Sequence, residues 1–281
     1  RGLVLAPLPP DRPGTASVTI HSLATGAVYI AEVHLEPGED GLQVRYDGDF
    51  AVTGVPDAAA PVVIATQGIA GAQTGRLLPT GRARDEFDLG AGLGRVTATL
   101  VDFARALIML DAREVLPHFG YASISDVSAD QIEADGPLNA AVEHVRRQAS
   151  EAMGMGDCAG KDAPKIALLA PHKPADAGGP PVVACRYWVN PGRCEAHPTI
   201  AMTAAQAIGA AALLGEGVAR DALAKAAPRP DERGGLDLRI AHPAGLFPVR
   251  VCVDPGAAGA SGVFPHGAPV TAAYTTTVRL L

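Results

Sequence analysis

At 281 residues, 48% hydrophobic and 19% charged, the chain is long enough for one large or two ordinary domains and too apolar for disorder. A net charge of -7, with no Lys/Arg stripe and no aromatic-basic interleaving, argues against nucleic acid, and no apolar run approaches the roughly 18 residues of a membrane span. The four cysteines show no CxxC spacing, so neither a zinc ribbon nor a disulfide framework is indicated and a reduced, cytoplasmic compartment is expected.

The chain opens Arg1-Gly2-Leu3 without Met or a secretory pattern, and Gly2 before the Pro-rich stretch 7–13 reads as the exit of a helix lying upstream. A truncated start is therefore expected. Residues 18–23 and 27–35 alternate around Ala24-Thr25-Gly26 and predict a hairpin. Strands are also expected at 41–46 and 60–66, followed by a Gly/Pro-punctuated crossing at 75–81. Residues 94–102 alternate as a strand, whereas 104–115 fit a buried strand or a helix equally well. Pro137 opens a helix to 153 that places Leu138, Val142, Val145 and Ala149 on one face. Short strands follow at 165–170 and 182–189, separated by a Pro/Gly-rich loop.

Residues 202–214 form an Ala-rich helix with no charged side chain, which should be buried on all sides. Strands at 236–242, 247–253 and 270–281 complete the chain, the last stopping without a terminating turn. Strands enclosing a buried, uncharged helix suggest a roll wrapped around it. The fold class is α+β, with no internal repeat.

Gly90-Ala91-Gly92-Leu93-Gly94 lacks the spacing of a dinucleotide loop and precedes a strand, so it reads as a turn. His197-Pro198-Thr199-Ile200 stands before the uncharged helix, where unpaired N–H groups and partial positive charge suit a carboxylate; Thr199 either caps the helix or donates its hydroxyl to the anion. His242-Pro243-Ala244-Gly245 predicts a tight turn, and Cys194 reads as a small buried hydrophobe or an activated thiol. No HExxH or paired-carboxylate spacing supports a metal, and no GxSxG elbow supports a serine nucleophile.

Together, Leu77-Leu78-Pro79-Thr80-Gly81, Pro164 to Leu169, Arg193-Cys194 through Ile200, and His242-Pro243-Ala244-Gly245 resemble the PrpF-type isomerases in order and spacing over nearly the whole chain. That family includes 2-methylaconitate cis–trans isomerase, methylitaconate isomerase and 4-oxalomesaconate tautomerase. The resemblance implies a diaminopimelate-epimerase-like fold of two β-rolls, each around a central helix. It places 1–76 and 269–281 in a partial first roll and 77–268 in a nearly complete second roll. It implies a cofactor-independent proton shift in an unsaturated tricarboxylate, with a small-molecule carboxylate substrate, no metal, and no nucleic-acid or membrane partner; a homo-oligomer stays open. Thr80, Gly81, His197, Thr199 and Met202 are the expected substrate-binding residues.

The departures bear on catalysis. The family's Arg-Gly-Gly-Thr-Ser-Lys-Gly and Gly-Asn-Cys-Gly-Asn motifs, which carry its proposed catalytic Lys and Cys or Ser, do not occur here, so no residue inherits either role. Arg82 replaces the family's Asn, Ala244 its Ser, and Ala104-Arg105-Ala106 an Asn-Pro-type turn. The base is expected on a segment upstream of Arg1. The alternatives are a non-catalytic fragment retaining a carboxylate-binding or interaction surface, or a two-thiol racemase of the same fold, for which only Cys194 is a candidate.

Overall fold

A computed structural model describes residues 4–5, 14–21, 28–39, 41–52, 56–172, 179–223, 230–232, 234–254 and 268–277. The chain divides into two units, Arg1–Gly68 with Thr271–Leu281, and Ile69–Val270.

In the first unit, β1 (Val4–Leu5), β2 (Thr15–His21), β3 (Val28–Gly38), β4 (Gly41–Val44) and β5 (Pro61–Gln67) all pair antiparallel. β2 and β3 are the two arms of the expected hairpin; its turn, and the helix exit read at Gly2, lie outside the described residues. The strand pattern is apolar but poorly covered. Val18, Val28 and Ile30 are half-buried, and Ile20 is 37% exposed.

In the second unit, β6 (Asp85–Asp88), β7 (Arg95–Phe103) and β8 (Arg105–Asp111) form a meander. The ambiguity over 104–115 resolves into strand then helix. Ala104 takes φ +63 to turn the chain, Leu107 to Leu110 are fully buried between two partner strands, and Asp111 accepts from Arg113 N at 2.9 Å to cap α1 (Ala112–Val115). α2 (Ala129–Ala134) starts at a Ser128–Gln131 capping box. α3 (Gly136–Ala152) begins one residue before the predicted start because Asp135 accepts from Leu138 N at 2.9 Å. Next come β9 (Lys165–Pro171), β10 (Val182–Asn190) and β11 (Glu195–Ala196). α4 (Met202–Ala212) and α5 (Val218–Ala222) precede β12 (Gly235–His242) and β13 (Gly245–Asp254). The final strand, β14 (Ala268–Thr277), belongs from Thr271 onward to the first unit, where it pairs antiparallel with β5.

The strand order in the second unit is β13-β12-β10-β9-β8-β7-β6, parallel at β12–β10 and β9–β8 and otherwise antiparallel. One face carries α3: Leu100, Ile108, Leu110, Ile166, Leu168 and Trp188 share a buried cluster with Leu138, Val142, Val145 and Ala149. Trp188 Nε1 donates to Asn139 Oδ1 at 2.8 Å, so the polar atoms of this contact are satisfied.

The other face carries α4, which packs against β7 and β8 and also against β12 and β13. Five strand spacings separate β13 from β7, about 24 Å in a flat sheet at roughly 4.8 Å each. That exceeds a helix diameter of about 10–12 Å, so the sheet curls around α4. The expected roll is formed. Residues 204–212 are all buried, and at Gly209 an added Cβ would lie 2.6 Å from Val251 Cγ2. Alanine and glycine bring helix and sheet this close. At the far end, Thr99 Oγ1 donates to Ala83 O and accepts from Val218 N, both at 2.8 Å, fixing the start of α5. Gly217 fits there because its φ is +118 and a Cβ would lie 2.7 Å from that hydroxyl.

Candidate functional site

The segment leading into α4 is built by β10. Trp188 pairs with Ala196, and His197 N donates to Tyr187 O at 2.8 Å, which straps His197 to the edge of β10 just before the helix. Cys194 takes φ +60 to close the 3-10 turn Pro191–Arg193 that makes this return possible. Ile200 is buried as an anchor, while Ala201, Met202 and Thr203 are half-buried at the helix mouth.

Of the two roles open for Thr199, the cap of α4 is not formed. The N-cap is Ala201, with no side-chain cap bond. Thr199 lies two residues earlier, and both its polar groups turn back to His197: its amide donates to Nδ1 at 3.0 Å, and its hydroxyl lies 3.0 Å from the same atom. The helix therefore presents its first amides without a side-chain acceptor, at the end where its dipole is positive.

His242 ends β12. Leu236, Leu238 and Ile240 precede it in phase on a strand that packs against α4, and the parallel pairing of β10 with β12 sets Cys185 and Tyr187 on that same face. The predicted turn at 242–245 is present, with His242 paired to Gly245. His242 is 7% exposed, and its Nδ1 is buried without a hydrogen-bond partner. Burial pushes its pKa down to about 4, helped by the positive charges of His197 and then Arg186. Burial also lowers His197. The rings of Tyr187 and His197 lie 6.1 Å apart.

Arg186 alternates to the opposite face, with Ala184 and Trp188. Its Nε donates to Val127 O and its Nη1 to Cys185 O at 2.9 Å. Among the described residues no carboxylate bonds or ion-pairs with Arg186, His197 or His242. Two imidazoles, His197 and His242, thus stand by a helix start without a side-chain cap, and among the described residues neither pairs with a carboxylate, an arrangement that favours a bound anion.

Of the sequence-predicted site residues, the fold gathers His197, Thr199 and Met202 at this mouth. Thr80 and Gly81 are held elsewhere in the bonding pattern: Thr80 Oγ1 donates to the buried Asp85 at 2.8 Å, Arg82 binds the other carboxylate oxygen of Asp85, and Gly81 takes φ +74 to make the turn. No hydrogen bond, ion pair or ring contact among the described residues joins Thr80 or Gly81 to the helix mouth. Sequence reasoning missed His242 as a candidate site residue, and Arg186 as the buried cation behind it on the other face of β10. The signal for His242 was its place as the fourth in-phase inward position after Leu236, Leu238 and Ile240. Arg186 had none, because a lone Arg in an apolar strand reveals its burial and its carbonyl acceptors only in three dimensions.

Cys194 is half-buried, and burial pushes the Cys185 thiol up to about 12, which makes it unreactive. All four cysteines are free thiols. Among the described residues, no group of three or more His, Cys, Asp or Glu is placed to hold a metal ion, and no helix is long and apolar enough to cross a membrane.

Comparison with known proteins places these features in a family. The profile of the PrpF protein family matches residues 1–261. The chain is 32% identical over 256 residues to 4-oxalomesaconate tautomerase of Pseudomonas putida, covering 91% of this chain and 62% of that protein. It is 28% identical over 254 residues to 3-methylitaconate isomerase of Eubacterium barkeri, covering 85% and 61%. The crystal structure of a methylitaconate-delta-isomerase superposes with a TM-score of 0.69 at 24% identity, covering 97% of this chain and 66% of that one. The fold is thus the diaminopimelate-epimerase-like α+β type that the motifs implied. The chain spans about three fifths of the length of these two relatives.

Proposed function

The chain belongs to the PrpF family, and we propose that the protein it represents is a cofactor-independent isomerase or tautomerase that shifts a proton in an unsaturated tricarboxylate, with 4-oxalomesaconate or 2-methylaconitate as the substrate class. The observation that carries this reading is the uncapped start of α4 beside His197 and His242, with no carboxylate among the described residues in bonding contact with either imidazole.

A proton on carbon beside a carboxylate or carbonyl is weakly acidic, so the transition state gathers negative charge on the oxygens. Oriented amides stabilise that charge without reorganising, and a helix start supplies roughly half a positive charge as well. Met202 and Thr203 stand at this mouth, with His197 beside it as a wall. Thr80 and Gly81 are proposed to line the substrate region through the backbone of their turn, since the Thr80 hydroxyl is committed to Asp85.

The described residues supply the binding side of the reaction. The Cys185 thiol holds its proton too tightly to act as base, and Lys165 Nζ is committed to Asp162 and Val189 O. We assign no base among them. The test is tautomerisation of 4-oxalomesaconate, followed spectroscopically with this chain and with a longer form extended upstream. Turnover by the extended form supports the proposal. Tight carboxylate binding without turnover in either form favours a non-catalytic binding role.

A further inference from the structure

We propose that His242 is a ligand-contacting residue of the α4 mouth, whose orphaned Nδ1 hydrogen-bonds the bound carboxylate and which takes up a proton as that carboxylate arrives. The inference rests on the carboxylate-site reading above and goes beyond it by naming the group and the linked proton.

Two independent observations support it. The first is the side-chain-uncapped start of an 11-residue helix. The second is a polar atom of a 7%-exposed side chain with nothing to bond, on the strand that packs against that helix. A buried, unmade hydrogen bond is costly and is rarely left standing unless a ligand or water completes it.

The proton is assigned to His242 rather than His197 by geometry. His197 Nδ1 already accepts from the Thr199 amide, so a proton there would break that bond. His242 has no such bond to lose. The titratable groups around it are Cys185 and Tyr187 on the same face of β10, Arg186 on the other face, and His197; α4 carries no titratable side chain. None supplies negative charge near neutral pH, because burial raises both the Cys185 and Tyr187 values. An arriving carboxylate is the missing counter-charge, and it lifts His242 from its depressed state toward protonation.

The probe is tricarballylate, a saturated tricarboxylate that cannot isomerise. Calorimetric titration near neutral pH in two buffers of different ionisation enthalpy reads the protons taken up. The expected result is uptake of a few tenths of a proton by the wild type. His242→Asn, which keeps a hydrogen-bonding group near the Nδ1 position but cannot titrate, should bind within about tenfold of wild type with uptake abolished. His197→Gln should bind more weakly and retain the uptake. The imidazole nitrogen resonances of the wild type give the same answer without a variant: the His242 signals shift toward the protonated range on saturation. Binding without uptake, or uptake surviving in His242→Asn, overturns this inference and leaves the carboxylate site standing. Absence of tricarballylate binding by the wild type overturns both.

Discussion

His197 Nδ1 accepts a hydrogen bond from the amide of Thr199 at 3.0 Å and lies 3.0 Å from its hydroxyl, so the residue best suited to cap α4 is spent on an imidazole instead. The start of the helix is left to Ala201, whose φ of -69 and ψ of 137 already match a capping conformation. If the proposed carboxylate binds here, a helix that could be capped and is not is a place where stability and binding compete.

Ala201→Asp should therefore separate the two. A carboxylate at this position accepts from the first-turn amides and gains about 1 kcal/mol of stability. It also places negative charge where the ligand acid belongs. Urea unfolding should show the gain, and tricarballylate affinity should fall at least tenfold. Unchanged affinity would remove the helix start from the site.

Stability should depend on pH through His242. Its folded pKa, about 4, lies below the ordinary 6.5, so between these values the unfolded chain binds more protons than the folded one. Stability is full above about pH 6.5 and is lost as pH falls toward 4. At about 1.4 kcal/mol per unit, the displacement from 6.5 to about 4 makes the loss by pH 4 on the order of 3 kcal/mol, and His197 adds to it with the same sign. Denaturation midpoints across pH 4–7.5 should show a shallower slope in His242→Asn.

Gly209→Ala tests the close packing of the roll. The added methyl would sit 2.6 Å from Val251 Cγ2, a β-branched side chain with little freedom to yield. Overpacking of about 1–3 kcal/mol outweighs the roughly 1 kcal/mol gained in helix propensity. Combining it with Val251→Ala should recover part of the loss, read as a coupling energy in a double-mutant cycle.

The strands of the first unit should open more readily than the second unit's core. Val18, Val28 and Ile30 are only half-buried, whereas residues 204–212 of α4 and the apolar run of β8 are fully enclosed. Native-state hydrogen exchange should find β2, β3 and β5 less protected than α4 and β8. Equal protection would contradict the packing argument.

Local chemistry was enough for several elements. Pro137 and the apolar spacing that follows specify α3; alternation and Pro243-Ala244 specify the β12–β13 hairpin; the uncharged run from Met202 specifies a buried helix. Each signal lies within a few residues, where propensity and periodicity act. The His197 segment was readable as the approach to a helix start for the same reason: Pro198 and the uncharged run after it lie within a few residues. What the tertiary structure alone decided was every choice that depends on a distant partner. Leu107 to Leu110 form a strand because β7 and β9 hydrogen-bond both its edges, a pairing invisible in a run that is apolar on both faces. Thr199 does not cap, because the bond from His197 N to Tyr187 O sets where the chain stands when the helix begins. His242 joins the site, and Arg186 comes within electrostatic reach of it, only once β10 and β12 are in register; register is set by the packing of whole strands, which no short stretch of sequence contains.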